Sequence, residues 1–160
     1  MAYRPARDPE REMMSQPTIK QVWNQIVEDV KAIALFTDVR AVPLNLVSNV
    51  QFLDKFPDIK LPACLIVYLG RAKTIKGAAD ERENRFNAIL VDSDPKGEAW
   101  QVNIDRAEEF DAKICDRQIL DDEVIIMGST DMAGAVSNPR FSVYQIAFNT
   151  RQAAQREMPA

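Results

Sequence analysis

Histidine is missing altogether from the 160 residues. Its absence removes the commonest general base, the usual proton switch near neutral pH and a standard zinc ligand. Cysteine is nearly absent as well. Cys64 and Cys115 stand in apolar contexts without metal-ligand spacing, and they read as reduced, buried thiols of a cytosolic protein. The five glycines are too few and too scattered to cradle a phosphate, and no G-x-G-x-x-G, Walker A or G-x-S-x-G pattern occurs. A serine or cysteine nucleophile would need a lysine or terminal amine as its base, and none is placed to serve. No apolar run approaches the ~18 residues that mark a membrane span. Residues 1–15 lack the apolar centre of a secretory signal. Basic residues are outnumbered, 20 Lys and Arg against 24 Asp and Glu, for a net charge of −4. That balance argues against a general nucleic-acid-binding surface. Catalysis is disfavoured on these grounds.

What remains suits one domain with a sizeable core. Residues 1–17 are charged, contain proline and lack periodicity, which predicts a flexible arm ahead of a domain over 18–150. Thr18 with Gln21 has the capping-box pattern. Behind it, Ile19, Val22, Trp23, Ile26, Val27, Val30, Ile33 and Ala34 recur at helical spacing. Residues 38–47 read as a strand that Pro43 restricts to an edge. Residues 48–60 read as a loop whose Phe52, Leu53 and Phe56 cover one end of the core.

The centre of the chain is an apolar run over 61–70 and a second run over 85–92. Together they predict a long antiparallel hairpin. Between them residues 71–84 read as a polar connector, long for a hairpin loop and locally basic. It carries Arg71, Lys73, Lys76, Arg82 and Arg85 against Asp80, Glu81 and Glu83. A solvated flap is the plain reading and a partner-binding arm the sharper one.

After a turn at 93–97, a helix is predicted over about 98–116. Its apolar stripe would be Trp100, Ile104, Ala107, Phe110 and Ile114. Its other face carries Asp105, Glu108, Glu109 and Asp111, with Arg106 and Lys113 as partial partners. Residues 121–128 read as a strand, 129–139 as a loop, 140–149 as a β-rich closing strand and 151–160 as a flexible tail. Strands in runs with helices segregated to one face make an α+β fold: an antiparallel or mixed sheet with a long hairpin and two main helices packed on one face.

This order resembles that of phage tail terminator proteins, the lambda-type minor tail protein U group and its prophage relatives. The resemblance rests on the amphipathic helix over 18–36 and on Leu61-Pro62-Ala63 leading to Val67-Tyr68-Leu69. It continues through the returning strand 86–91, the acidic Trp100-bearing helix and the closing strand 141–148, covering about residues 18–149. It implies a structural protein, with no catalytic residue, cofactor or metal. Its members form a hexameric ring on the head-proximal end of the tail tube, stop tube polymerisation and present a surface to head-completion proteins. DNA passes through the lumen without specific binding. The implied location is the virion, after assembly in the host cytoplasm. A ring needs two different, complementary patches. The basic connector (Arg71, Lys73, Lys76, Arg82, Arg85) and the acidic helix face (Asp105, Glu108, Glu109, Asp111) carry opposite charges, which would favour correct orientation. An acidic lumen would let DNA pass by like-charge repulsion.

Two other classes stay open at this point. One is a small α+β binding or regulatory module that forms a dimer. The other is a carboxylate enzyme that uses Asp121, Asp122 and Glu123 with Glu108 or Asp111 to hold a divalent metal.

Overall fold

The computed structural model describes residues 17–44, 56–76, 79–94, 96–129, 131–134 and 141–154, with the backbone alone at 72–76, 79–80, 133 and 153–154. Expectations for 1–16, 45–55, 135–140 and 155–160 lie outside these residues. Regular structure begins at Thr18. Its hydroxyl accepts from the Gln21 N–H at 3.2 Å, and the Gln21 side-chain oxygen accepts from the Thr18 N–H at 2.9 Å. This reciprocal cap satisfies two free donors at the helix start and opens α1, Ile19–Ala32. The helix ends earlier than its apolar spacing suggests: Ala34 already has φ +58°. Strand β1 (Asp38–Val42) is also shorter than expected, ahead of Pro43.

Strands β2 (Ala63–Lys76) and β3 (Ala79–Ser93) form the long hairpin. The connector expected at 71–84 is a correction. It is ladder, paired from Gly70–Arg85 out to Lys76–Ala79. The reason lies elsewhere in the chain. The closing strand runs from Phe141 to Ala154 rather than stopping at Asn149. Its end pairs with the same half of β3, from Asn84–Thr150 to Asp80–Ala154. A polar strand flanked on both sides has ladder partners for its backbone N–H and C=O groups, so hydrophobic patterning is not required to hold it.

Helix α2 spans Ala99–Ile114. It is followed by two short strands absent from the sequence reading, β4 (Arg117–Ile119) and β6 (Asp131–Gly134), on either side of β5 (Val124–Ile126). Residues 120–123 form the tight turn between β4 and β5, where 121–123 were expected to open a strand, with Leu120, Asp121 and Asp122 at φ 54°, 56° and 64°. The closing strand is β7.

The sheet runs β1-β2-β3-β7-β5-β4, with β6 also on β7. Among the described strands only the β1–β2 pairing is parallel. Both helices pack on one face of this mixed sheet, so the fold is α+β. Val22, Ile26 and Val30 of α1 and Ala107, Phe110 and Ile114 of α2 close over Cys64, Ile66, Ala88, Leu90 and Ile146. A line of rings crosses this layer: Trp23, Tyr68, Phe86, Phe148 and Phe110, with successive centroids 5.5–5.9 Å apart. Each such pair adds about 0.5–1.5 kcal/mol beyond area burial. On the opposite face a smaller cluster gathers Val42, Leu65, Val67, Ile89, Val91 and Val143, flanked by Phe56, Ile59, Leu61 and Phe141. Residues 63–67 are therefore apolar because both of their faces are buried.

Helix α2 is rotated from its expected setting. Trp100 is 51% exposed, and Asn103 is fully buried in its place. The buried stripe is Asn103, Ala107, Phe110 and Ile114. Asn103 belongs there because its Nδ2 donates to the carbonyls of Leu90 at 3.1 Å and Ser142 at 3.2 Å, tying the helix to β3 and β7.

Candidate interaction surface

Beyond a bulge the sheet continues as an extension of β2 from Gly70, β3 up to Arg85 and β7 from Asn149, with β5 paired to β7 at Thr150–Gln152. The bulge marks its base. Pairing steps from Tyr68–Phe86 to Gly70–Arg85, leaving Leu69 as the extra residue, 37% exposed. Gly70 has φ +143°, a value that side chains with a Cβ rarely adopt.

The bulge decides which connector residues face the helices. On β3, Phe86, Ala88 and Leu90 point into the helix-side core, so alternation carries Asn84 and Arg82 onto the same face. Arg71 stands opposite Asn84, and Lys73 opposite Arg82. Arg71 is not a free surface charge. It is half-buried, and its Nε donates to Asn84 Oδ1 at 2.8 Å. Burial, followed by the Arg82 charge, lowers its pKa. Arg85 lies on the other face and is exposed. Lys76 pairs with Ala79 at the tip. Arg71 and Arg82 thus lie on one face and Arg85 on the other rather than in one patch.

Asn84, Thr150 and Gln152 are a polar strip that the sequence reading missed. They are 0%, 0% and 4% exposed, in register beside one another across β3 and β7. Asn84 Nδ2 donates to Gln152 Oε1 at 3.5 Å, and Gln152 Nε2 donates to the Pro17 carbonyl at 2.9 Å. The alternation Asn84, Phe86, Ala88, Leu90 carried the signal that position 84 shares the apolar face. On the other face, Asn149 Nδ2 donates to Glu83 Oε1 at 2.6 Å.

The acidic residues of α2 also separate. Asp105, Glu108 and Glu109 are exposed, with Glu109 paired to Lys113 at 3.3 Å. Asp111 is turned to a structural task, accepting the Ser129 N–H at 3.2 Å. Arg106 pairs with Asp92 of β3 at 2.7 Å rather than with its own helix. Asp121, Asp122 and Glu123 are exposed in the β4–β5 turn. Among the described residues no group of three or more His, Cys, Asp or Glu side chains is arranged to hold a metal ion, so the proposed convergence with Glu108 or Asp111 finds no geometric support there. Cys64 and Cys115 are free and buried. Burial raises the Cys64 thiol pKa. Burial, followed by the Asp111 and Asp116 carboxylates, pushes the Cys115 thiol up to about 12.

Two further surface features stand out. A groove of about 400 Å³ is lined by Asp94, Trp100, Ile104, Phe141, Tyr144 and neighbouring residues. In addition, β1 pairs with β2 only from Ala63 to Val67. Beyond that point the outer side of β2 carries no strand among the described residues. No helix of the described residues is long and apolar enough to cross a membrane. No family model matches the sequence, and no curated protein matches it.

Proposed function

We propose that this protein is a structural tail terminator of a phage or prophage, assembling as a ring that caps the tail tube and joins it to head-completion proteins. The observation that supports the reading best is the outer edge of β2 beyond Val67, which no strand of the described residues covers, on a ladder that β3 and β7 hold in place. An exposed strand edge is a template for pairing with another chain. The far edge of the sheet is the short strand β4, so the two ends differ. Contact between unlike surfaces of identical copies generates rings when the rotation closes.

Charge supports the same arrangement. Arg85 on the extension and Asp105, Glu108 and Glu109 on α2 remain exposed. Opposed charges of this kind set the orientation of neighbours more than their affinity. The net charge of −4 suits a lumen through which DNA passes without binding. The tail tube protein and the head-completion protein are the partners in this reading, and the virion is its location.

Light scattering on the purified chain over a range of concentrations is the test. A hexamer, or a monomer–hexamer exchange, is expected. Replacing Lys73, Lys76 and Arg85 together by Glu should lower that mass while leaving the fold intact. Arg71 is left out of this variant because its side chain bonds to Asn84 inside the sheet. A strict dimer overturns the ring. It would favour a small binding module instead, with the Trp100 groove as its site.

A further inference from the structure

The sheet face turned away from the helices carries two arginines without a carboxylate. Phe86, Phe148, Val124 and Ile126 point into the helix-side core, so alternation turns Glu83, Arg85, Asn149, Arg151 and Ile125 to the other side. Register gathers them. Arg85 stands across from Asn149, Glu83 across from Arg151, and Arg151 across from Ile125. Arg85 and Arg151 are therefore diagonal neighbours, roughly 7–8 Å apart. Among the described residues no ion pair joins either of them to an acid. Glu83 accepts instead from Asn149 at 2.6 Å. Arg85 is exposed, while Arg151 is half-buried with its Nε enclosed and lacking a hydrogen-bond partner. Ile125 beside it is 41% exposed. A guanidinium partly withdrawn from water and unpaired is costly, and an incoming carboxylate offsets that cost.

Helix α2 carries the matching surface. Val102 is 48% exposed, and the exposed Asp105 and Glu108 follow it at steps of three residues. Neither acid is in an ion pair among the described residues. Side chains three apart on a helix lie about 5–6 Å from each other at Cβ, close to the spacing of the arginine pair. Each surface thus sets two like charges beside one aliphatic side chain, and the charges are opposite in sign. Ala107 and Phe110 hold α2 against the helix-side core, so its outer side looks away from the arginines. One chain cannot bring the two surfaces together.

We propose that Arg85, Arg151 and Ile125 form a docking surface for a second copy of this chain, which presents α2 through Val102, Asp105 and Glu108. Each arginine takes one carboxylate, a pairing that the guanidinium fork favours, and Ile125 packs near Val102. The contact is head-to-tail, because every copy bears one surface of each kind on opposite sides. It rests on the assembly of unlike surfaces proposed above and is independent of the number of copies in the ring.

Light scattering on intact-chain variants, alone and mixed, tests this. Arg85→Glu with Arg151→Glu, and separately Asp105→Lys with Glu108→Lys, should each raise at least tenfold the concentration at which half the chain is assembled. Mixing the two variants in equal amounts should restore assembly, since each then meets the opposite charge on the other. The helix variant changes only exposed side chains, so it decides alone if the arginine variant does not fold. An oligomer that keeps its mass in both variants overturns this surface and leaves the ring standing. Loss of assembly in both without recovery on mixing overturns the pairing, as does a native chain that stays monomeric at every concentration. Recovery on mixing with a native oligomer of another size supports the surface and overturns the ring of six.

Discussion

Trp23 on α1 reaches across to β2, where its indole N–H donates to the Ile66 carbonyl at 2.9 Å. The ring also lies 5.9 Å from Tyr68, the first of the aromatic line across the sheet. The contact fixes α1 to the strand at the place where the β1 pairing is about to end.

Replacing Trp23 by Phe keeps most of the ring contact and removes the donor. A loss of about 1–2 kcal/mol is expected for one hydrogen bond and the carbonyl it leaves behind. Trp23→Ala should cost more, about 3 kcal/mol, because the ring packing is lost too. Urea denaturation with unchanged m-values would give both figures, and a Trp23→Phe variant as stable as the native chain would show that the hydrogen bond contributes nothing.

Asn103 leads to a prediction with a pH signature. Asn103→Leu removes the donor to Leu90 and Ser142 but also the enclosed Oδ1 that has no partner, so a loss of only about 1–2 kcal/mol is expected. Asn103→Asp should be worse at neutral pH, since a carboxylate faces two carbonyl oxygens. The folded-state pKa of that acid would be raised, so its penalty is present at neutral pH and fades as the pH falls through the raised value. Denaturation of both variants at neutral and acidic pH separates the two effects.

The part of the fold written in local patterns was legible. The cap at Thr18 and Gln21, the stripe Val22, Ile26 and Val30, and the apolar runs within β2, β3 and β7 all carry their signals within a few residues. What failed depended on distant partners. Residues 71–84 look like loop because polar side chains lie on both faces, and only the pairing of β3 with the end of β7 makes them strand. Strands β4 and β6 are too short to show a period. Asn103 has no place in the apolar stripe read from the sequence because the carbonyls that receive it are on two strands elsewhere in the chain. Of the candidate surface residues, Arg85, Asp105, Glu108 and Glu109 are exposed as expected. Arg71 and Asp111 turned inward for the same reason as Asn103: their acceptor and donor are remote in sequence.

Acid sensitivity should centre on β1. Burial tends to raise the Asp38 carboxyl, but hydrogen bonds from Arg40 and the Lys60 N–H outweigh it and hold its pKa below the ordinary 3.8. Arg40 bridges Asp38 at 2.8 Å and Asp58 at 3.2 Å. Because the folded pKa of Asp38 is lowered, its contribution is complete above the unfolded value and is lost as pH falls through the folded one. Asp38→Asn is expected to cost about 1 kcal/mol at neutral pH. Its stability curve should meet that of the native chain as the pH drops below 3.8. Parallel curves down to that range would rule out the Asp38 carboxylate as the cause.

Thiol chemistry offers a simple check on packing. With both thiols buried and the Cys115 pKa pushed up to about 12, neither holds a useful thiolate fraction at neutral pH. A disulfide-exchange reagent should label neither residue in the native chain and both in urea. Rapid native labelling of Cys115 alone would mean that the segment around Ser129 opens.

Strand β7 is the last of the described strands in chain order and one of the most central. It lies between β3 on one side and β5 and β6 on the other. Until residues 141–154 have left the ribosome, β1-β2-β3, the β4–β5 pair and β6 have no strand to join them, and the core cannot close. The domain can therefore fold as a unit only once β7 has been made. During that interval the nascent chain carries the exposed strand edges that most invite wrong pairing. A message truncated ahead of Phe141 would yield a chain that cannot become this protein and is prone to aggregate.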